Sequence, residues 1–209
     1  MLQERGCKRQ DSRIRSTGAD LRRNLRDATE PAHRLLEAAL DLQSPELSFE
    51  RYRRVLAAFL GFYSPLEARI RAFKPVEQPL GFALPARARR LERDLAALGA
   101  PVAVACCEDL PQLATSAELM GCLYVLEGAA LGGQVLARSL ASRWQLTPST
   151  GLAFFHGDGP AGTKRRWALV LDWLERGERA GADAPSAVAA ASATFLALER
   201  WATVRGATC

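Results

Sequence analysis

Histidine is nearly missing: a chain of 209 residues carries two, His33 and His156, far apart in sequence. Ser/His and Cys/His nucleophilic pairs, and many metal sites, need a histidine with defined partners, and neither residue has them in a recognisable spacing. The five cysteines, Cys7, Cys106, Cys107, Cys122 and Cys209, are odd in number and form no C-x-x-C pair. That pattern argues against a zinc site or a disulfide framework and for reduced thiols in a cytoplasm. No stretch reaches the roughly 18 uncharged apolar residues of a membrane span, so no membrane is expected. Strand-like alternation, internal repeats and a G-x-G-x-x-G fingerprint after a strand are missing as well, which removes the usual nicotinamide and flavin sites.

What is present fits one ordinary domain. Hydrophobic residues make up 48% and charged residues 24% of the chain, as in globular proteins with a sizeable core. The net charge is +5, but residues 1–18 hold five basic and two acidic side chains, so most of the excess lies there. The remaining chain has no basic stripe interleaved with aromatics, and nucleic acid is not an expected partner. Residues 1–18 also lack the apolar core of a secretory signal. They are read as a flexible basic tail, solvated or serving as a binding arm, ahead of a helical domain at 19–209.

The periodicity is helical nearly everywhere. Between Phe49 and Phe73 the apolar residues recur in steps of three and four, giving one face of a long helix with Ser48 as N-cap and a kink at Pro65. Residues 19–40 predict a helix, or two if Pro31 breaks it. Prolines and glycine make 74–85 a loop. Further helices are expected at 86–98, 110–144, 163–177 and 184–204, with 147–162 as a loop holding a buried "LAFF". The fold class is all-α.

Two stretches carry candidate chemistry. In "ATEPAHRLLEAAL", Leu36 and Glu37 follow His33 at i+3 and i+4 on one helix face. The spacing fits a half-buried histidine without a ligand role, and equally an imidazole steered by Glu37. "EPAH" matches the Glu-x-x-His element of di-iron bundles, but no second copy exists, since Ala153 precedes His156 at minus three. A haem iron needs only one imidazole. The second stretch, "LYVLEGAALGGQVLARSL" at 123–140, places Gly128, Gly132 and Gly133 inside a helix, where each costs roughly 1 kcal/mol relative to alanine. Gly128 and Gly132 share a face. A face without Cβ atoms admits either a closely packed partner helix or a large flat ligand, and Gly132 next to Gly133 favours a kink.

Taken together, "LRDATEPAHRLLE", "LYVLEGAALGGQVLARSL" and "AFFHGDG" followed by tryptophan, in this order, resemble the haem oxygenases over about residues 19–205. The likeness is greatest to the bacterial, biliverdin-forming branch that accompanies bacteriophytochromes. It implies a single helical domain holding haem between a proximal helix and a kinked, glycine-rich distal helix. His33 would be the axial ligand to iron and Glu37 its orienting partner, with Gly128, Gly132 and Gly133 as the distal backbone over the haem.

Mammalian-type members carry an aspartate after the first distal glycine that orders water; here the position is Ala129. Arg26, Lys164 and Arg166 would meet the propionates, each of them equally compatible with a solvated face. Phe155, with Phe154, would pack beside the haem or in the core. The resemblance implies haem b as substrate and cofactor together. Biliverdin, carbon monoxide and ferrous iron would be the products, and the electrons would come from a ferredoxin or flavoprotein reductase. A haem carrier or sensor of the same fold would use His33 identically.

Overall fold

Side-chain caps fix the starts of three of the seven helices among the described residues. The computed structural model describes residues 19–73, 84 and 86–208; the basic tail and most of the proline-rich loop lie outside them. α1 (Ala19–Leu40) runs unbroken through Pro31, and α2 (Phe49–Ala72) runs through Pro65, opening where Ser48 Oγ accepts from Arg51 N at 3.1 Å. α3 (Arg87–Ala97) follows. α4 (Ser116–Trp144) starts at a capping box: Glu118 N donates to Thr115 Oγ1 at 3.2 Å, and Thr115 N donates back to Glu118 Oε2 at 2.8 Å. α5 (Ala153–His156) is a single turn, α6 (Gly159–Arg179) has Pro160 in its first turn, and α7 (Ala184–Val204) is capped by Asp183. No strand occurs among the described residues.

Two boundaries differ from the sequence expectation. The long fourth helix begins at Ser116 instead of 110, because the preceding segment is committed to α2. Cys107 N donates to Gly61 O at 2.8 Å, and Arg69 Nη1 donates to Leu110 O at 3.1 Å and Pro111 O at 2.8 Å. Residues 147–162 are not all loop: they hold α5 and the first turn of α6. Gly157 and Gly159, at φ 55° and 73°, turn the chain between those two helices in the left-handed region that glycine tolerates.

α4 is the central helix, packed on α6 and α7; α1 also packs on α7, and α2 packs on α3. The closest approach of α4 to α7 is at Gly121, where a Cβ would collide with the Ala187 carbonyl. By length and composition α4 could cross a membrane, yet half of its apolar window is buried within this bundle. Tyr52, Leu56, Phe62, Leu66, Leu91, Leu123 and Leu174 are fully buried in one core. Each fully buried side chain of this size contributes roughly 1.5–3 kcal/mol of apolar transfer energy.

Candidate functional site

At one side of α4 the core opens into a cavity of about 350 Å³, in the range of small-molecule sites. Its apolar wall comes from Phe59, Leu126, Phe154, Phe155, Phe195 and Leu198, its polar edge from Arg87, Arg90, Glu127, Asp158 and Arg166. His33 and Glu37 of α1 reach the same cavity as Gly132 and Gly133 of α4.

His33 is partly exposed. Its Nε2 lies 3.5 Å from Glu37 Oε1, and its ring stands edge-on to Phe195 with centroids 5.6 Å apart. The carboxylate one turn along α1 and the aromatic ring from α7 therefore flank the imidazole.

The three glycines do different things. A Cβ on Gly132 would meet nothing within 4 Å, so no neighbouring helix requires glycine there, and the helix presents bare backbone to the cavity. A Cβ on Gly133 would lie 3.6 Å from Phe155 O. Gly128 points elsewhere: its Cβ would touch the Trp167 ring of α6 at 3.5 Å, and it does not line the cavity. Of the three glycines expected on the distal backbone, Gly132 and Gly133 thus line the cavity. Ala129, exposed beside them, does line it.

The basic residues also separate. Arg26 and Lys164 are exposed and outside the cavity lining, Arg26 pairing with Asp27 at 3.1 Å. Arg166 lines the cavity, but its Nε donates to Glu127 Oε2 at 3.1 Å and its Nη2 to Glu127 Oε1 at 2.9 Å. Arg87 Nη2 reaches the same Glu127 Oε1 at 2.9 Å, and Arg90 pairs with Asp158. Burial works to raise the Glu127 carboxyl, but Arg87 and Arg166 outweigh it and hold the group below the usual glutamate range. Tyr63, at the same edge, is pushed up to about 12 by burial and stays a neutral phenol. Phe155 is both cavity wall and core, buried at 5% exposure and stacked on Tyr52.

Sequence reasoning missed the residues that hold α5 in place. Asp94 of α3, buried at 1% exposure, accepts from Ala153 N at 2.6 Å and Phe154 N at 2.8 Å. Gln134 of α4 donates to Phe155 O at 3.2 Å and His156 O at 2.9 Å. It also missed Glu127, although a lone carboxylate inside an apolar run is a readable signal for a buried ion pair. Among the described residues no group of three or more His, Cys, Asp or Glu side chains is placed to hold a metal ion. Cys106, Cys107 and Cys122 are free thiols.

An all-helical chain with an imidazole and a glycine-faced helix on one apolar cavity is the arrangement the three sequence motifs resemble, and comparison with known families agrees. The model of the family described as "Heme oxygenase" matches residues 19–203, and the chain belongs to the haem oxygenase family. Over 111 residues it is 39% identical to a haem oxygenase of Xanthomonas campestris pv. campestris (strain 8004), covering 52% of this chain and 62% of that relative. The aligned part thus spans less than two thirds of the relative's length.

Proposed function

We propose that this protein is a haem oxygenase that binds haem through His33 and opens its ring. One observation carries the reading: His33 and the uncovered backbone of Gly132 face the same apolar cavity. A flat, largely apolar ligand fits such a wall, and the missing Cβ atoms let it approach the helix closely. Bound haem would supply the iron that activates oxygen towards its own porphyrin.

The chain's residues divide the remaining work. His33 would hold the haem iron, with Glu37 beside it to orient the imidazole. Gly132 and Gly133 keep side-chain ligands away from the other face, and no histidine or methionine lies in 123–140. Gly128 leaves room for the Trp167 ring of α6, which a Cβ there would meet at 3.5 Å. Ala129 adds no carboxylate there, so water would be held by backbone groups and by neighbours such as Tyr63. Phe155 packs against one edge of the porphyrin. Arg26 and Lys164, as exposed cations, would meet the propionates at the mouth, and Arg166 would do so from the cavity edge while remaining tied to Glu127.

Biliverdin, carbon monoxide and ferrous iron are the proposed products. A ferredoxin or flavoprotein reductase is the proposed electron source, and a bacteriophytochrome the proposed recipient of the pigment in a cytoplasm. The test adds haem to the purified protein, then an electron donor under air with catalase present. A biliverdin band growing as the Soret band decays supports the reading. A haem spectrum that survives many reduction cycles identifies a carrier instead.

A further inference from the structure

The α5 turn has only four residues, yet it supplies two aromatic side chains to the cavity wall. A helix this short does not persist on its own propensity. It is held from both ends by side chains of other helices. At its start, the buried Asp94 carboxylate of α3 accepts from Ala153 N and Phe154 N at 2.6 and 2.8 Å. At its end, Gln134 Nε2 of α4 donates to Phe155 O and His156 O at 3.2 and 2.9 Å. Gln134 directly follows Gly132 and Gly133, so the residue that clamps α5 is one step from the bare backbone of the cavity.

We infer that Asp94 and Gln134 are positioning residues that set the in-plane orientation of the bound macrocycle and so select which edge of it reacts. The inference rests on the haem oxygenase reading above. The physical case is steric. Phe154 packs on Phe59 and Tyr63 with centroids 5.5 and 5.3 Å apart, and on Phe155 at 5.1 Å. Phe155 in turn lies against Tyr52 and Phe59, with centroids 6.3 Å from each. The aromatic block therefore has little room to shift while both clamps hold. A porphyrin offers four similar meso edges to such a cavity. A rigid wall that fits one rotational setting better than the others discriminates among them, and a loose wall does not. The four hydrogen bonds act through Phe154 and Phe155 and need not touch the ligand themselves.

The variants are Asp94→Asn, which keeps the shape but loses one of two acceptor oxygens, and Gln134→Glu, which keeps the shape but loses the donor. Gln134→Leu removes the donor without adding charge. Three readouts are taken. In the ligand-free protein, amide exchange at Phe154 should quicken by about tenfold or more, the scale of one lost hydrogen bond to a charged group. In the ferric haem complex, proton spectra of the haem methyl groups should change from one dominant set of signals to two or more. On turnover, chromatography should resolve a mixture of ring-opened isomers where the parent protein gives chiefly one.

A purely structural role would lower the melting temperature but leave one methyl set and one isomer, and that result overturns the proposal. Slow exchange retained at Phe154 in all three variants also overturns it, because the clamp would not be what holds α5. If instead the parent protein binds no haem or opens no ring, the underlying reading fails, and the parent alone reveals it.

Discussion

Arg166 grips Glu127 by two contacts, Nε to Oε2 at 3.1 Å and Nη2 to Oε1 at 2.9 Å, and so ties α6 to α4 at the edge of the cavity. Arg87 of α3 shares the same carboxylate, which is only 2% exposed. Three helices thus converge on one buried charge. Removing it leaves two guanidiniums crowded at a site that no longer balances them. Glu127→Ala should lose about 3–5 kcal/mol of folding free energy, the usual scale for breaking a buried pair, read as a lower denaturant midpoint with unchanged slope.

The pH dependence of stability follows from the same carboxylate. Its pKa is lowered on folding from an ordinary value of 4.5. The stabilisation is therefore complete above that value and disappears as the pH falls from there through the lower folded-state pKa. Denaturation series from about pH 6 to about pH 3 should show the parent losing stability steeply in acid. Glu127→Gln, less stable at neutral pH, should show a shallower fall. Parallel curves would mean that other carboxylates govern the acid limb.

His33→Ala should abolish the axial imidazole signature of the ferric haem spectrum, and added imidazole should restore it. His156→Ala should leave that spectrum unchanged, since His156 lies outside the cavity lining. Unchanged ligation in His33→Ala would remove the proximal role.

The glycines of α4 separate a packing role from a ligand role. Gly121→Ala places a methyl against the Ala187 carbonyl and should cost roughly 1–3 kcal/mol as an overpacked contact. At Gly132 a Cβ meets nothing within 4 Å, so Gly132→Leu should keep or slightly raise stability, by about 1 kcal/mol at most from helix propensity. It should nevertheless weaken haem binding, because the side chain enters the cavity. Thermal melting and haem titration of both variants decide the matter, and normal haem affinity in Gly132→Leu would refute the proposed close approach.

The helical class and most helix positions were legible because α1, α2, α3 and α6 carry distinct polar and apolar faces at helical spacing. Boundaries were less so. Pro111 and the Thr115-x-x-Glu118 capping box are local signals for a start at Ser116, whereas the bonds of Arg69 to Leu110 O and Pro111 O are not visible locally, and α5 looks like loop because Asp94 and Gln134, distant in sequence, supply its end bonds. His33, Glu37, Gly132 and Gly133 could be singled out from residue type and spacing, and all four line the cavity. Gly128 could not be told from them, because the neighbour a Cβ there would meet is Trp167, a residue 39 positions later. The choice of Arg166 rested on its charge, and charge alone does not reveal that Glu127 already engages it.

The two-ended support of α5 has a consequence for how the protein is assembled. Its N-terminal acceptor lies about 60 residues earlier in the chain and its C-terminal donor about 20 residues earlier, so its bonds are non-local and loop closure must precede them. The end bonds of α5 can therefore close only once α3 and α4 have both been brought to it, and the aromatic wall is complete only then. Partly folded chains would hold His33 on an early, local helix with no finished wall to shape the cavity. Selective ligand binding thus becomes a property of the completed fold, even though the residue proposed to grasp the ligand is among the first that could be in place.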